Sequence, residues 1–226
     1  WTGRRFTDEE LNEISGIERI EDINNLNKTV DALLSSQHVK TLWLCFEALA
    51  PERSFDIERE FSKVIRNRYP HIVIKNSYPY ICTMRKIKTQ GEIDAICRGM
   101  QITEAGIRRM MQVAKPGMKE YELEAEFNYV LAAHGQRNPA FPPIIAAGER
   151  IFYLHYSHPF GLVSDGELIL TDVGAAYDDY CTDISRVFPA NGHFSERQAQ
   201  IYRIAYTANR AIMAQVRPGV PFSETD

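Results

Sequence analysis

Residues 166–189 read GELILTDVGAAYDDYCTDISRVFP, and the two aspartates eleven positions apart within them, Asp172 and Asp183, set the terms for the whole chain. Leu168–Val173 and residues 180–188 are rich in β-branched, aromatic and other apolar side chains. Ala176-Tyr177-Asp178-Asp179 between them has turn composition, so the stretch is predicted to form a β-hairpin. An even loop centred on Tyr177 and Asp178 makes paired positions sum to 355 and sets Asp172 opposite Asp183. Facing carboxylates would have Cβ atoms about 5 Å apart and would repel each other. Either a shared proton, which raises one pKa, or a hard cation held by both groups relieves that repulsion. A slipped register would instead leave two unrelated surface aspartates.

The bulk of the chain narrows the choice of partner. Its 226 residues suffice for one large domain, or for one domain and part of another. A formal net charge of −4, with acids and bases mixed throughout, offers no basic stripe for nucleic acid and no polybasic patch for a membrane. No apolar run approaches the roughly 18 residues of a membrane span, and no secretory signal opens the chain. A small-molecule or peptide partner is therefore expected. Cys45, Cys82, Cys97 and Cys181 are few and widely spaced, which suits reduced thiols in a cytoplasmic protein better than a disulfide frame. The chain opens on Trp1 without an initiator Met, and Ser223-Glu224-Thr225-Asp226 resembles the cap of a helix that does not follow, so both ends read as cuts through a longer polypeptide.

Residues 1–83 alternate helical patterns (8–15, 23–35, 56–68) with strand-like ones (41–46, 71–75), which indicates an α/β layer with parallel pairing. The pattern breaks around Tyr78-Pro79-Tyr80, and a domain boundary is placed between 83 and 84. Residues 84–226 form the second domain. Within it, residues 96–117 and 198–219 align without gaps at an offset of 102, each a helix ending in a basic residue, Pro and Gly. The first copy continues into a helix over 120–134, strands over 144–147 and 151–156, and the two-aspartate hairpin. The second copy stops as its own second helix should begin, so half of a two-fold arrangement is expected to be missing.

On the proposed register Gly174 opposes Cys181 and leaves space beside Asp172 and Asp183, which fits a bound ion. Paired carboxylates favour hard divalent ions such as Mn²⁺, Mg²⁺ or Ca²⁺. Cys181 points to the same face, although a small thiol is more often plain packing. His155 and His158 lie in a predicted strand leaving into a loop; at that spacing they point to opposite faces, which argues against a joint zinc site. His155 alone is a candidate substrate-binding or catalytic residue, weighed against a hydrogen-bonded structural histidine. No G-x-G-x-x-G, Walker or G-x-S-x-G pattern is present.

At these residues the chain resembles the pita-bread metallopeptidases, and among them the Xaa-Pro aminopeptidases. The resemblance rests on Trp1-Thr2-Gly3-Arg4-Arg5, residues 88–96, Lys115-Pro116-Gly117-Met118 with Glu122, Leu154-His155-Tyr156, and the runs 172–175 and 180–186. It implies an α+β pita-bread domain, here truncated after its first repeat and preceded by part of a creatinase-like α/β domain. It also implies a two-metal hydrolase, usually loaded with manganese, in which a metal-bridging water attacks to release the residue preceding proline from a peptide. By the same resemblance Asp172 binds one metal, Asp183 bridges both, and His155 contacts substrate and stabilises the reacting carbonyl. The family's other three ligands, one histidine and two glutamates, have no positions here to receive them, so the fragment alone is expected to be inactive and to bind metal weakly. Phe141 falls where some relatives carry a tyrosine. A prolidase of the same fold and a non-catalytic peptide- or protein-binding module are the alternatives, and the oligomeric state is left open, a homo-oligomer included.

Overall fold

The computed structural model describes residues 3–36, 38–47 and 56–224. Two compact units divide between Ile87 and Lys88, four residues past the sequence-based boundary, which falls inside a helix. In the first unit, α1 (Asp8–Ser15) opens on a Thr7–Glu10 capping box, α2 spans Leu26–Leu34, and β1 is Thr41–Leu44. Next come α3 (Ile57–Arg68), capped by the Asp56 side chain, and β2 (Val73–Asn76). β1 and β2 pair in parallel, as the alternating pattern predicts, over a small core of Leu34, Ile65, Tyr69 and Ile72. Tyr78-Pro79-Tyr80, expected to break the pattern, instead starts α4 (Tyr78–Lys86), because proline is tolerated in a first helical turn where its missing N–H bonds to nothing. The calls on Trp1, Thr2, Thr225 and Asp226 lie outside the described residues.

The second unit is built on α5 (Gln90–Val113), which starts at a Thr89–Glu92 capping box. Its residues Ile102, Thr103, Gly106, Ile107 and Met110 recur at helical spacing and are buried. They meet α6 (Glu120–Ala133), whose Leu123, Phe127 and Leu131 are fully enclosed. Behind the helices lies an antiparallel sheet in the order β3-β4-β7, with β3 at Ile144–Ala147, β4 at Leu168–Val173 and β7 at Ile184–Pro189. On β4, Ile169, Thr171 and Val173 point into the core, while Leu168, Leu170 and Asp172 occupy the opposite, half-buried face. Between β4 and β7 the chain makes a second small hairpin of β5 (Ala176–Tyr177) and β6 (Tyr180–Cys181).

A last helix, α7 (Glu196–Gln215), begins at a Ser195–Gln198 capping box. It is the repeat of α5. Both helices end at a Pro-Gly turn whose glycine, Gly117 or Gly219, adopts a left-handed backbone with φ of 93° or 89°. The likeness stops at burial, for no residue of α7 is buried.

The expected strand over 151–156 is absent. Gly148 turns the chain at φ 61°, residues Gly148–Phe152 form a 3₁₀ turn, and Arg150 reaches inward to a buried acid. Aromatic alternation predicts a strand there, but Tyr153 and Leu154 are both exposed, as no two-sided strand would leave them.

Candidate active site

The two aspartates come together, by a register different from the one expected. Tyr177 pairs with Tyr180, so the turn is Asp178-Asp179, and Asp172 stands opposite Ser185. Paired positions therefore sum to 357 rather than 355. Both turn residues have positive φ, 45° and 62°, a conformation that Asp tolerates better than most residues. Because the shift is by two, every side chain keeps its face, and Asp183 becomes the diagonal neighbour of Asp172 instead of its direct partner. Cys181 pairs with Ala176, not Gly174, and is exposed.

The carboxylates interact. Desolvation, then a hydrogen bond with Asp172 and its negative charge, push the Asp183 carboxyl above the usual aspartate range. Asp183 is exposed by surface area, so the neighbouring charge is the cause that carries weight. Asp172 Oδ1 accepts a hydrogen bond from Ser185 Oγ at 2.7 Å.

Gly174 is the space the hairpin needs. A Cβ there would lie 1.7 Å from the backbone oxygen of Thr182, so only glycine lets the strand before Asp183 cross the strand after Asp172 this closely. A buried hydroxyl pair locks the crossing. Thr103 and Thr182 hydroxyl oxygens are 2.7 Å apart, and both accept from Ala175 N at 2.9 and 3.0 Å. Thr103 Oγ1 donates to Gly99 O, which ties the hairpin to α5. At the outer end Tyr180 donates its hydroxyl to Glu92 at 2.6 Å.

His155 lies in an irregular, exposed loop rather than in a strand. It borders a cavity of about 380 Å³ with Glu124, Phe141, Ile144, Tyr156 and Pro159. Ile144 is the link to the acids, since it pairs directly with Asp172 across β3 and β4. Burial raises the Glu124 carboxyl. His158 bonds Ser157 Oγ.

Sequence reasoning missed Glu120, the fully buried acid of this unit. Its carboxylate accepts from Ala147 N, Arg150 Nε, Tyr156 OH and Gly161 N. The hydrogen bond to Glu120, and after it the charge of that carboxylate, raises Arg150, and desolvation together with the Glu120 hydrogen bond raises Tyr156. Nothing in the sequence distinguishes Glu120 from Glu122, two positions on, which is an ordinary capping-box acid.

For a divalent ion, the donor chemistry of Asp172 and Asp183 fits: two hard oxygen ligands on one face, held close enough to disfavour each other without a cation. Among the described residues no cluster of three or more His, Cys, Asp or Glu is positioned to hold a metal. Among the described residues no helix is long and apolar enough to cross a membrane.

A helix-backed antiparallel sheet with a crossed hairpin is the α+β arrangement of the pita-bread fold. Residues 94–226 match the model of metallopeptidase family M24, and the chain belongs to that family. The Xaa-Pro aminopeptidase of Escherichia coli is 29% identical over 99% of this chain and 51% of its own length. A human Xaa-Pro dipeptidase is 27% identical over 97% of this chain and 44% of its own. A Bacillus anthracis structure, solved as a candidate aminopeptidase P, superposes with a TM-score of 0.92 at 37% identity, covering all of this chain and 54% of that one. The chain spans about half the length of the relatives it matches.

Proposed function

We propose that this chain carries part of the active site of a manganese-dependent Xaa-Pro aminopeptidase, a cytoplasmic enzyme that removes the residue preceding proline from peptides. The unit ending at Ile87 supplies part of a creatinase-like domain and the unit starting at Lys88 part of the catalytic one. The observation that carries the reading is the pair Asp172 and Asp183, brought to one face of a hairpin by the Asp172–Ser185 register, in a family M24 chain. Asp172 and Asp183 would hold metal, Asp183 shared between two ions, and His155 would contact the peptide. Bound divalent ions supply Lewis-acid polarisation of the scissile carbonyl and a nucleophile at neutral pH. The chain's own part is to present two carboxylates rigidly, through Gly174 and the Thr103–Thr182 lock, and to wall a mostly apolar cavity suited to a proline-containing peptide.

Mn²⁺ binding followed by electron paramagnetic resonance tests the metal assignment. Weak binding is expected, on the order of 10⁻⁴ M or weaker for two carboxylates with water, and Asp172→Asn or Asp183→Asn should each abolish it. Binding unchanged in both variants would refute the assignment. The 226-residue chain is expected to leave Xaa-Pro peptides uncut, because its described residues offer no third ligand beside the pair. In a polypeptide of the relatives' length, cleavage of Xaa-Pro dipeptides but not of longer Xaa-Pro peptides would identify a prolidase instead.

A further inference from the structure

We infer that Glu120 is a positioning residue for the substrate side of this site, holding the loop that carries His155. The inference rests on the reading that His155 contacts the peptide.

The loop from 147 to 161 leaves β3 and returns to α6, and Glu120 grips it at four points. Oε1 accepts from Ala147 N at 2.8 Å and Arg150 Nε at 2.6 Å; Oε2 accepts from Tyr156 OH and Gly161 N, both at 2.8 Å. Main-chain bonds from Glu120 N to Gly161 O and from Tyr121 N to Pro159 O hold the far end independently. The middle has no such support. Among the described residues, the Tyr156 hydroxyl makes the one hydrogen bond that ties residues 151–158 to the body of the unit. His155 is the residue next to it. The arrangement is built for this: a Cβ on Gly161 would sit 2.2 Å from Arg150 Nε, so glycine there gives the guanidinium its path to Glu120. A solvated acid in the first turn of a helix needs none of these partners, whereas a carboxylate with no exposed surface needs all of them.

Glutamine is the informative substitution. All four partners of Glu120 present protons, and an amide has one accepting oxygen and one donating nitrogen, so no orientation of Glu120→Gln satisfies both Ala147 N with Arg150 and Gly161 N. Two readouts on the 226-residue chain separate positioning from general stability: amide hydrogen exchange, and the ¹³C-labelled imidazole signal of His155 in an NMR spectrum. In Glu120→Gln, exchange at Ala147 and Gly161 is expected to quicken at least about tenfold while Ala175 and Thr182 amides stay protected. The His155 signal should shift or split. Phe127→Leu, a core truncation on the same helix, should lower the melting temperature without moving the His155 signal. If Glu120→Gln does not fold, Tyr156→Phe removes the middle anchor alone and should move His155 in the same way. Equal His155 signals in wild type and either anchor variant, or uniform acceleration of all amides, would overturn the inference. A wild-type His155 signal indifferent to an Xaa-Pro peptide, with the variant effects present, upholds Glu120 as the anchor of this loop and overturns the reading that His155 contacts the peptide.

Discussion

Thr103 and Thr182 show how single atoms decide the hairpin. Ala175 N is buried and has two hydroxyl oxygens to choose from, so the loss of either one still leaves it an acceptor. Thr103→Val or Thr182→Val should each cost about 1 kcal/mol, the usual net value of an internal hydrogen bond. The double variant orphans the amide, and its cost should exceed the sum of the singles by about 1–2 kcal/mol. Urea denaturation of the four proteins measures this, and simple additivity would show that Ala175 is satisfied some other way. None of this was legible in advance. Threonine in a helix and threonine in a strand are unremarkable one at a time, and their meeting across 79 positions is a product of the tertiary fold. Asp172 and Asp183 were legible because like charges on one hairpin face are a local contradiction. Glu120 was not, since nothing local conflicts with an acid that opens a helix.

At the scale of elements, α5 and the β5–β6 hairpin are joined by Tyr180 and Glu92. That hydrogen bond, followed by those from Thr89, holds the Glu92 carboxyl down to about 2. A depressed carboxyl stabilises the fold above the unfolded glutamate range and ceases to do so as pH falls through its folded value. Tyr180→Phe should therefore lower the melting temperature most near neutral pH, with the gap to wild type closing between about pH 5 and pH 2. A gap independent of pH would mean that the hydroxyl acts on something other than Glu92. The hairpin itself was foreseen from its apolar strands and its register was not, because neither Asp178 nor Asp179 is the glycine or asparagine that usually marks a left-handed turn. The strand expected at 151–156 failed for a related reason. Periodicity reports a pattern of apolar side chains, and here that pattern belongs to a loop pulled inward at Arg150.

Across the whole molecule, the parallel pairing of β1 with β2 followed from alternation of helical and strand-like segments, while the α+β pita-bread fold followed from the family resemblance. The repeat was visible because Pro-Gly turns demand the same residues twice. Its second helix, α7, shares the helical pattern of α5 and the capping box at its start. The site inherits a division of its own. The carboxylates hang from α5 through Thr103, while the His155 loop hangs from α6 through Glu120, and the two sets of hydrogen bonds share no residue. Thr103→Val and Glu120→Gln combined should then change stability by the sum of their separate effects, within about 0.5 kcal/mol. A larger departure in denaturation experiments would show the two tethers to be coupled. Independent tethers make damage here separable: a change on one helix could disturb the His155 loop and leave the aspartate hairpin in place, or the reverse, through hydrogen bonds that have no residue in common.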